Sequence, residues 1–209
     1  MFKDRAEAAE QLAERLSRYQ GGHTLVLAIP QGGVEVGHYL AKNLRAHLSP
    51  VMSRRLPDPL EPGTGFGAVA EDGCLVIDKD IYKWLSTAEI NAIKKEQNRL
   101  IKKWVKDFRQ GKPLPEMPGQ TVILVDDGMA TGFTMKAAIA VCRKKGAQKI
   151  VVAVPVAEES AAREIEQLVD ETIVLEVLDS SRGGGESYVI WPDVPVERIQ
   201  EILRFWESE

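Results

Sequence analysis

Residues 122–134 read Val-Ile-Leu-Val-Asp-Asp-Gly-Met-Ala-Thr-Gly-Phe-Thr, and this stretch decides the fold that the rest of the chain must support. Val122 to Val125 form an unbroken apolar run, which is typical of a parallel strand buried on both faces. Asp126 and Asp127 are therefore predicted to lie where that strand leaves the core. Adjacent carboxylates repel each other and are costly to desolvate, so they indicate a ligand that uses them, such as vicinal hydroxyls or a hydrated cation.

The residues after the carboxylates predict a phosphate site. Apart from Met129, the residues from Gly128 to Gly132 have small side chains or none, and the start of the next helix is predicted to point free N–H groups at the same place. A helix N-terminus binds anions, and Thr131 and Thr134 can add hydroxyl donors. The stretch therefore predicts a site for a sugar phosphate. The simpler interpretation is that the carboxylates only cap a helix and the glycines only turn the chain.

Apolar runs and amphipathic segments alternate through most of the chain. Further strands are predicted over 25–29, 150–156 and 172–177, and helices over 4–19, after Gly33, over 86–109, after Thr134, from about Glu158 and over 196–206. Alternation of this kind predicts an α/β fold, a Rossmann-like parallel sheet with helices on both faces. A hairpin is also predicted at Asp72-Gly73, and a short extended piece over 188–191.

Two other strand ends carry chemistry suited to a phosphate ligand. Gln31, Gly32 and Gly33 follow the strand at 25–29, and a short strand at 51–53 is predicted to lead into Arg54 and Arg55. Glycine lets the backbone approach a polyphosphate closely, and arginine can fork onto phosphate oxygens. Ligands of open α/β sheets bind beyond the carboxyl ends of the strands, so we expect these residues to meet in one pocket.

The stretch at 122–134 resembles the type I phosphoribosyltransferases, whose signature is a hydrophobic strand, Asp-Asp and Thr-Gly-x-Thr. The resemblance continues through Ala-Ile-Pro-Gln-Gly-Gly, Arg-Arg, Gly-Ala-Val-Ala-Glu-Asp-Gly and Val-Ala-Val-Pro-Val-Ala, in the order seen in a branch of predicted phosphoribosyltransferases with undefined acceptors. It implies the type I phosphoribosyltransferase fold and a single domain over 1–209, in which 179–209 form a small C-terminal hood and helix.

The resemblance also implies site residues. Asp126 and Asp127, as catalytic residues, would hold the ribose hydroxyls of phosphoribosyl pyrophosphate and stabilise an oxocarbenium-like transition state. The implied substrate-binding residues are Gln31, Gly32, Gly33, Arg54, Arg55, Gly128, Met129, Ala130, Thr131, Gly132, Phe133 and Thr134.

These residues divide by the part of the ligand that each would bind. Residues 130–134 would wrap the 5′-phosphate, and 31–33 would bind pyrophosphate with Arg54 or Arg55 as basic partner. Part of 56–67 would close over the reaction. Mg²⁺ would bind mainly through the pyrophosphate, with no direct protein ligand.

Two residues depart from the family pattern. Gln31 stands where the branch usually has arginine, which replaces a charge-assisted contact to pyrophosphate by a neutral one. Ala130 stands where 6-oxopurine enzymes place an acidic group, which disfavours hypoxanthine or guanine without establishing adenine. Tyr188 and Trp191 could stack on the acceptor base or, equally, pack the last helix onto the core. The acceptor is therefore predicted only as a small, possibly purine-like, nitrogenous base.

Three classes of function are compatible with these features. The first is phosphoribosyl transfer with pyrophosphate release, in nucleotide metabolism. The second is a regulatory or sensor protein of the same fold that binds phosphoribosyl pyrophosphate or a nucleotide without turnover, and Gln31 is its main support. The third, an α/β phosphohydrolase that uses the carboxylates for metal, lacks the further acidic or histidine residues that such enzymes need at other strand ends.

Composition narrows the partners and the location. The net charge of −4 over 209 residues argues against general nucleic-acid binding. No apolar run reaches transmembrane length and the charged N-terminal residues lack a signal-peptide core, so we expect a cytoplasmic protein without membrane partners. Cys74 and Cys142 have no metal or redox spacing and are predicted as buried hydrophobes. The sequence does not fix the oligomeric state, and a homodimer is suggested by analogy with similar folds alone.

Overall fold

A computed structural model describes residues 1–21, 23–61, 64–78, 85–179 and 184–207. The strands are β1 (Thr24–Ala28), β2 (His47–Pro50), β3 (Ser53–Pro57), β4 (Gly65–Ala70), β5 (Leu75–Ile77), β6 (Thr121–Val125), β7 (Lys149–Glu158) and β8 (Glu171–Leu178). The α-helices are α1 (Arg5–Arg15), α2 (Gly32–Leu44), α3 (Thr87–Arg109), α4 (Phe133–Lys144), α5 (Glu159–Glu166) and α6 (Val196–Glu207).

A parallel sheet of five strands, in the order β2-β1-β6-β7-β8, forms the centre of the fold. Side chains alternate along each strand, so Val26 and Ile123 pack in a core with α1, α2 and α6, whereas Leu25 and Leu124 pack in a second core with α4 and α5. Both faces of the sheet are therefore covered by helices. The predicted Rossmann-like α/β fold is confirmed.

A second, antiparallel sheet of three strands, β3-β4-β5, lies beside the first. The hairpin predicted at Asp72-Gly73 joins β4 to β5 and is confirmed. The strand predicted at 51–53 is wrong, because β2 ends at Pro50 and β3 begins at Ser53. Val51 and Met52 connect the two sheets through the core and are fully buried there. Both residues are therefore apolar, which makes this connection resemble a strand in the sequence.

Helix caps follow the sequence closely. The Asp4 carboxylate accepts the Glu7 amide at 3.0 Å at the start of α1, and Ser86 with Glu89 forms a reciprocal capping box at the start of α3. The long helix predicted at 86–109 is confirmed. The first helix ends at Arg15, earlier than predicted, and continues as a 3₁₀ turn over Ser17–Tyr19.

The N-terminal residues run beside the segment that follows β8. The Phe2 amide donates to the Ser187 carbonyl at 2.7 Å, and the Val189 amide donates to the Phe2 carbonyl at 2.8 Å. Only Tyr188 of the extended piece predicted at 188–191 forms a β-bridge, and it does so with Phe2. The chain's N-terminus and residues 187–190 therefore form one small unit beyond the sheet edge.

Some sequence predictions fall on residues outside the described ranges. Residues 62 and 63 of the predicted closing loop, and residues 180–183 and 208–209 of the predicted C-terminal hood, lie there. Within the described ranges, every helix is too short or too polar to cross a membrane.

Candidate active site

The loop that follows β6 carries the strongest sequence motif and is held at the carboxyl edge of the sheet. The Met129 amide donates to the Val156 carbonyl and the Glu158 amide donates to the Met129 carbonyl, both at 2.9 Å. These two bonds fix the middle of the loop against β7. Gly132 then takes a φ of 69°, a left-handed conformation that favours glycine, immediately before α4 begins. The loop therefore presents the first N–H groups of α4 at a fixed position.

Asp126 and Asp127 lie together at the start of this loop. The Asp127 amide donates to Asp126 Oδ1 at 2.9 Å. Removal from water, and then the charge of Asp127, raise the pKa of the Asp126 carboxyl well above its usual value. A raised pKa favours the protonated form of the Asp126 carboxyl. The pair can thus both donate and accept hydrogen bonds.

The Asp127 side chain is held by contacts from both ends of the chain. Arg5 Nε donates to Asp127 Oδ2 at 2.9 Å and Arg5 Nη2 lies 2.7 Å from the same oxygen. Trp191 Nε1 donates to this oxygen at 3.0 Å, and the Tyr188 hydroxyl donates to the Asp127 backbone carbonyl at 2.7 Å. These contacts fix the orientation of the carboxylate before any ligand binds.

Arg5 is a site residue that the sequence analysis missed. Its side chain is only 6% exposed, and Nη1 donates to the Pro192 carbonyl at 2.8 Å while lying 3.6 Å from Glu35 Oε2. One signal was present: a cation in the first turn of a helix is opposed by the helix dipole, so it requires another partner. That partner is Asp127.

Replacing Arg5 by methionine should lower the free energy of unfolding by about 3 kcal/mol, because the change leaves a mostly buried carboxylate without its cation. Urea unfolding of the native protein and the variant measures the difference. Arg15→Met, in the same helix but exposed, is the matched control and should change stability by less than about 1 kcal/mol. Equal effects of the two substitutions would contradict the assignment of Arg5 as the partner of Asp127.

The first glycine loop, residues 30–33 after β1, packs directly against Asp126 and Asp127. A Cβ added at Gly32 would lie 1.9 Å from Asp127 Oδ2, and one at Gly33 would lie 2.9 Å from the Cα of Asp126. Any side chain here would displace the carboxylates, so the close approach explains both glycines. Gln31 is exposed at the start of α2.

The larger of two cavities at the site has a volume of about 390 Å³. Its walls are Pro30, Ser53, Arg54, Arg55, Pro57, Gln97, Trp104 and the loop from Gly128 to Thr134. The arginines and the post-β6 loop therefore meet, as the sequence predicted. From the first glycine loop only Pro30 reaches this cavity, because Gly32 and Gly33 are turned toward the carboxylates.

Arg54 and Arg55 reach the cavity by a different route from the predicted one. They lie within β3 of the antiparallel sheet and not after a strand of the parallel sheet. The Ser53 hydroxyl donates to the Thr134 carbonyl at 2.9 Å and joins this small sheet to the first turn of α4. Burial lowers the pKa of the Arg54 guanidinium.

The smaller cavity, of about 160 Å³, lies on the other side of the post-β6 loop. Its walls are Asp127, Gly128, Met129, Ala130, Val156, Glu158, Leu178 and Trp191. Gly128 to Ala130 border both cavities. A ligand bound across this loop could thus place one part in each cavity.

Trp191 borders this smaller cavity, whereas Tyr188 is buried beside it in a small core with Phe2, Ala8 and Leu178. Tyr188 stacks against Trp191 at 6.2 Å between ring centres and packs with Phe2 at 5.5 Å. Trp191 remains 46% exposed and lies on the cavity wall. Tyr188 thus packs on the N-terminal residues and β8, a structural role other than the predicted packing of the last helix, and stacking on a ligand stays a prediction for Trp191.

Within the described ranges, no group of three or more His, Cys, Asp or Glu side chains is arranged to hold a metal ion. Cys142 is buried and burial raises the pKa of its thiol to about 12, whereas Cys74 is partly exposed beside Asp72.

Comparisons with known proteins give a consistent result. A family model for the phosphoribosyl transferase domain matches residues 1–185. A Mycobacterium tuberculosis protein, whose name provisionally assigns it to the phosphoribosyl transferases, is 37% identical over 177 residues, which is 84% of this chain and 40% of the relative. The chain thus spans less than half the length of this curated relative.

Solved structures agree with the sequence comparisons. A crystal structure from Thermus thermophilus has a TM-score of 0.81 and 32% identity, and the match covers 99% of both chains. A hypoxanthine phosphoribosyltransferase from Staphylococcus aureus has a TM-score of 0.51 and 13% identity over 85% of this chain and 74% of its own. The second match shows a common fold.

Proposed function

Because the chain belongs to the phosphoribosyltransferase family, we propose that it transfers the phosphoribosyl group of phosphoribosyl pyrophosphate to a nitrogenous base and releases pyrophosphate. One observation carries the proposal: paired carboxylates and an anion-binding helix start are held within one short loop at the carboxyl edge of the sheet. The carboxylates suit a ribose, and the loop suits its phosphate.

Asp126 and Asp127 would bind the two ribose hydroxyls. A protonated Asp126 would donate to one hydroxyl oxygen and the Asp127 carboxylate would accept from the other, and the negative charge of Asp127 would offset the positive charge that develops on the ribosyl ring. The bond from the anomeric carbon to pyrophosphate breaks and a bond to the base nitrogen forms. The fixed position of Asp127, held by Arg5 and Trp191, would supply this stabilisation without reorganisation.

The phosphates of the donor would be divided among the surrounding elements. Gly128 to Thr134 would bind the 5′-phosphate through the N–H groups of α4 and the hydroxyls of Thr131 and Thr134. Residues 31–33 would bind pyrophosphate, which Gly32 and Gly33 allow to approach the backbone. Part of the segment 56–67 would cover the donor and exclude water.

Mg²⁺ fits this site as a partner of the pyrophosphate. Asp126 and Asp127 would face the ion through its water shell, because both carboxyls are assigned to the ribose hydroxyls. When bound, the ion would supply positive charge that neutralises the leaving pyrophosphate.

The acceptor base would occupy the smaller cavity, beside the exposed ring of Trp191. Its wall combines apolar side chains, Val156 and Leu178, with the acidic Glu158. Ala130 adds no acidic group at the border between the cavities. The acceptor within the class of small nitrogenous bases is to be identified by screening.

The direct test is calorimetric titration with phosphoribosyl pyrophosphate and Mg²⁺, followed by a nucleobase screen that measures pyrophosphate release. We expect saturable binding of the donor and release with at least one base. Lack of donor binding would overturn the proposal.

One residue supports a second candidate function, a sensor that binds the donor or a nucleotide without turnover. Gln31 stands where the branch carries arginine, so the pyrophosphate would lose a charge-assisted contact. Donor binding without pyrophosphate release for any base would favour this alternative over transfer.

Gln31→Arg should raise the affinity for Mg²⁺-pyrophosphate about tenfold, because a hydrogen bond from a charged donor is stronger than one from an amide. Calorimetry measures the change. Gln148→Arg adds the same charge at an exposed position before β7, at the opposite edge of the sheet, and is the matched control. An unchanged affinity in Gln31→Arg would show that position 31 does not contact the pyrophosphate.

A further inference from the structure

Two side chains of α3, Gln97 and Trp104, hold Arg54 at the wall of the larger cavity. Arg54 Nε donates to Gln97 Oε1 at 2.9 Å, and the centre of the Arg54 guanidinium lies 4.2 Å from the centre of the Trp104 ring. Gln97 is only 8% exposed and is therefore a polar side chain placed in the interior of the helix packing. The two α3 residues fix both the plane and the direction of the guanidinium.

The partners of Arg54 leave its charge uncompensated. Gln97 is neutral and Trp104 is aromatic, and among the described residues no carboxylate forms an ion pair with Arg54. The nearest acidic influence comes from Glu96, an exposed residue. A partly buried cation without a counter-charge is costly. An anionic ligand would remove this cost.

The wall across the cavity from Arg54 is the post-β6 loop. Thr131 and Thr134 line the cavity together with the first turn of α4. Ser53, the residue before Arg54, donates a hydrogen bond from its hydroxyl to the Thr134 carbonyl. By contrast, Gly32 and Gly33 of the first loop pack against the Asp pair. Arg54 thus shares its cavity with the phosphate loop more than with residues 31–33.

We infer that Gln97 and Trp104 are positioning residues, which hold Arg54 charged and directed at the 5′-phosphate that the Thr131–Thr134 loop binds. This inference rests on the proposed function and differs from the pyrophosphate role that the family resemblance implies for the arginine. It makes the antiparallel sheet and α3 part of the donor site. The neutrality of Gln97 is essential, because an acidic residue there would compete with the phosphate for Arg54.

The test is Gln97→Glu, which keeps the side-chain size and the acceptor but pairs Arg54 with a carboxylate. Calorimetry is done separately with ribose 5-phosphate and with Mg²⁺-pyrophosphate. We expect about tenfold weaker binding of ribose 5-phosphate, from loss of one charge-assisted contact, and a change of less than about twofold for pyrophosphate. Urea unfolding should show a free energy of unfolding that is unchanged or higher.

Asn91→Glu is the matched control, because it adds the same charge at an exposed position of α3. It should leave the affinity for ribose 5-phosphate unchanged. If Gln97→Glu binds ribose 5-phosphate as tightly as the native chain, or weakens only pyrophosphate, the inference is overturned and the proposed function stands. If the native chain binds neither ribose 5-phosphate nor phosphoribosyl pyrophosphate, the proposed function itself fails.

Discussion

Replacing Asp126 and Asp127 together by asparagine is expected to weaken the binding of phosphoribosyl pyrophosphate at least about 100-fold and to abolish measurable turnover. Each side chain would lose a hydrogen bond to a ribose hydroxyl. The charged bond from Asp127 contributes roughly 1.5–3 kcal/mol and the neutral bond from Asp126 about 1 kcal/mol, which together amount to about two factors of ten or more. The loss of negative charge beside the ribosyl ring adds to the effect on turnover. Calorimetry and a pyrophosphate-release assay measure the two quantities.

The double variant should remain folded, which makes the result interpretable. Asparagine has nearly the same shape, and its amide oxygen can still accept from Arg5 and Trp191. Arg5 also keeps Glu35 as an acidic neighbour at 3.6 Å. Tight donor binding by the double variant would show that the carboxylates do not contact the ligand.

The single variant Asp126→Asn tests the raised pKa of Asp126 through the pH dependence of the free energy of unfolding. The folded-state pKa of Asp126 is raised, so its stabilising contribution is present below the unfolded-state value of about 3.9 and is lost as pH rises through the folded-state value. A neutral asparagine avoids this loss. The unfolding free energy of Asp126→Asn relative to native should therefore increase between pH 4 and pH 8.

The sequence predicted the central motif well, for local physical reasons. The apolar run at 122–125 can only be satisfied by burial on both faces, and the glycine before Phe133 marks the start of the next helix. The structure has β6 ending at Val125 and α4 beginning at Phe133. Motifs whose function is local to one turn can be interpreted in this way.

The strand that carries Arg54 and Arg55 was predicted less accurately than the central motif. Val51 and Met52 are as apolar as a strand, although they only connect two sheets through the core. Which sheet a short strand joins depends on long-range pairing, here with residues 65–70 of β4, and local sequence carries little information on that choice. Both arginines line the cavity as predicted, whereas the strand that was predicted to carry them is wrong.

Gln97 and Arg5 were missed although each left a signal in the sequence. Gln97 lies on the apolar stripe of α3, four residues after Ile93 and four before Ile101, where a polar side chain requires a buried partner. The partner, Arg54, is 43 residues away and cannot be named from the pattern. Likewise Arg5 lies 122 residues from Asp127. A polar residue on an apolar helix face, or a cation at a helix N-terminus, is therefore a candidate for a buried polar contact. Only the fold identifies its partner.

Gly32→Ala is expected to lower donor affinity by roughly 10- to 100-fold, the second largest effect that we predict. Alanine is ordinarily up to about 1 kcal/mol more favourable than glycine in a helix, so without a clash the change should stabilise α2. Here the new Cβ would lie 1.9 Å from Asp127 Oδ2, and the carboxylate cannot move without breaking its bonds to Arg5 and Trp191. A displacement of about 1 Å in a binding group can cost two factors of ten in rate.

Comparison with Gly33→Ala separates displacement of the carboxylate from general damage to the fold. A Cβ at position 33 meets the Cα of Asp126 at 2.9 Å, and both the Val125 carbonyl and Asp126 Oδ1 at 3.0 Å. Because two of these three atoms belong to the backbone and cannot rotate away, Gly33→Ala should chiefly lower the free energy of unfolding, by about 1–3 kcal/mol. Gly32→Ala should lose a larger share of donor affinity for each kcal/mol of stability lost. Lys42→Ala, at an exposed position of α2, controls for the substitution itself. The added Cβ must displace the Asp127 carboxylate. If Gly32→Ala nevertheless bound the donor with native affinity, the orientation of Asp127 would be unimportant for binding.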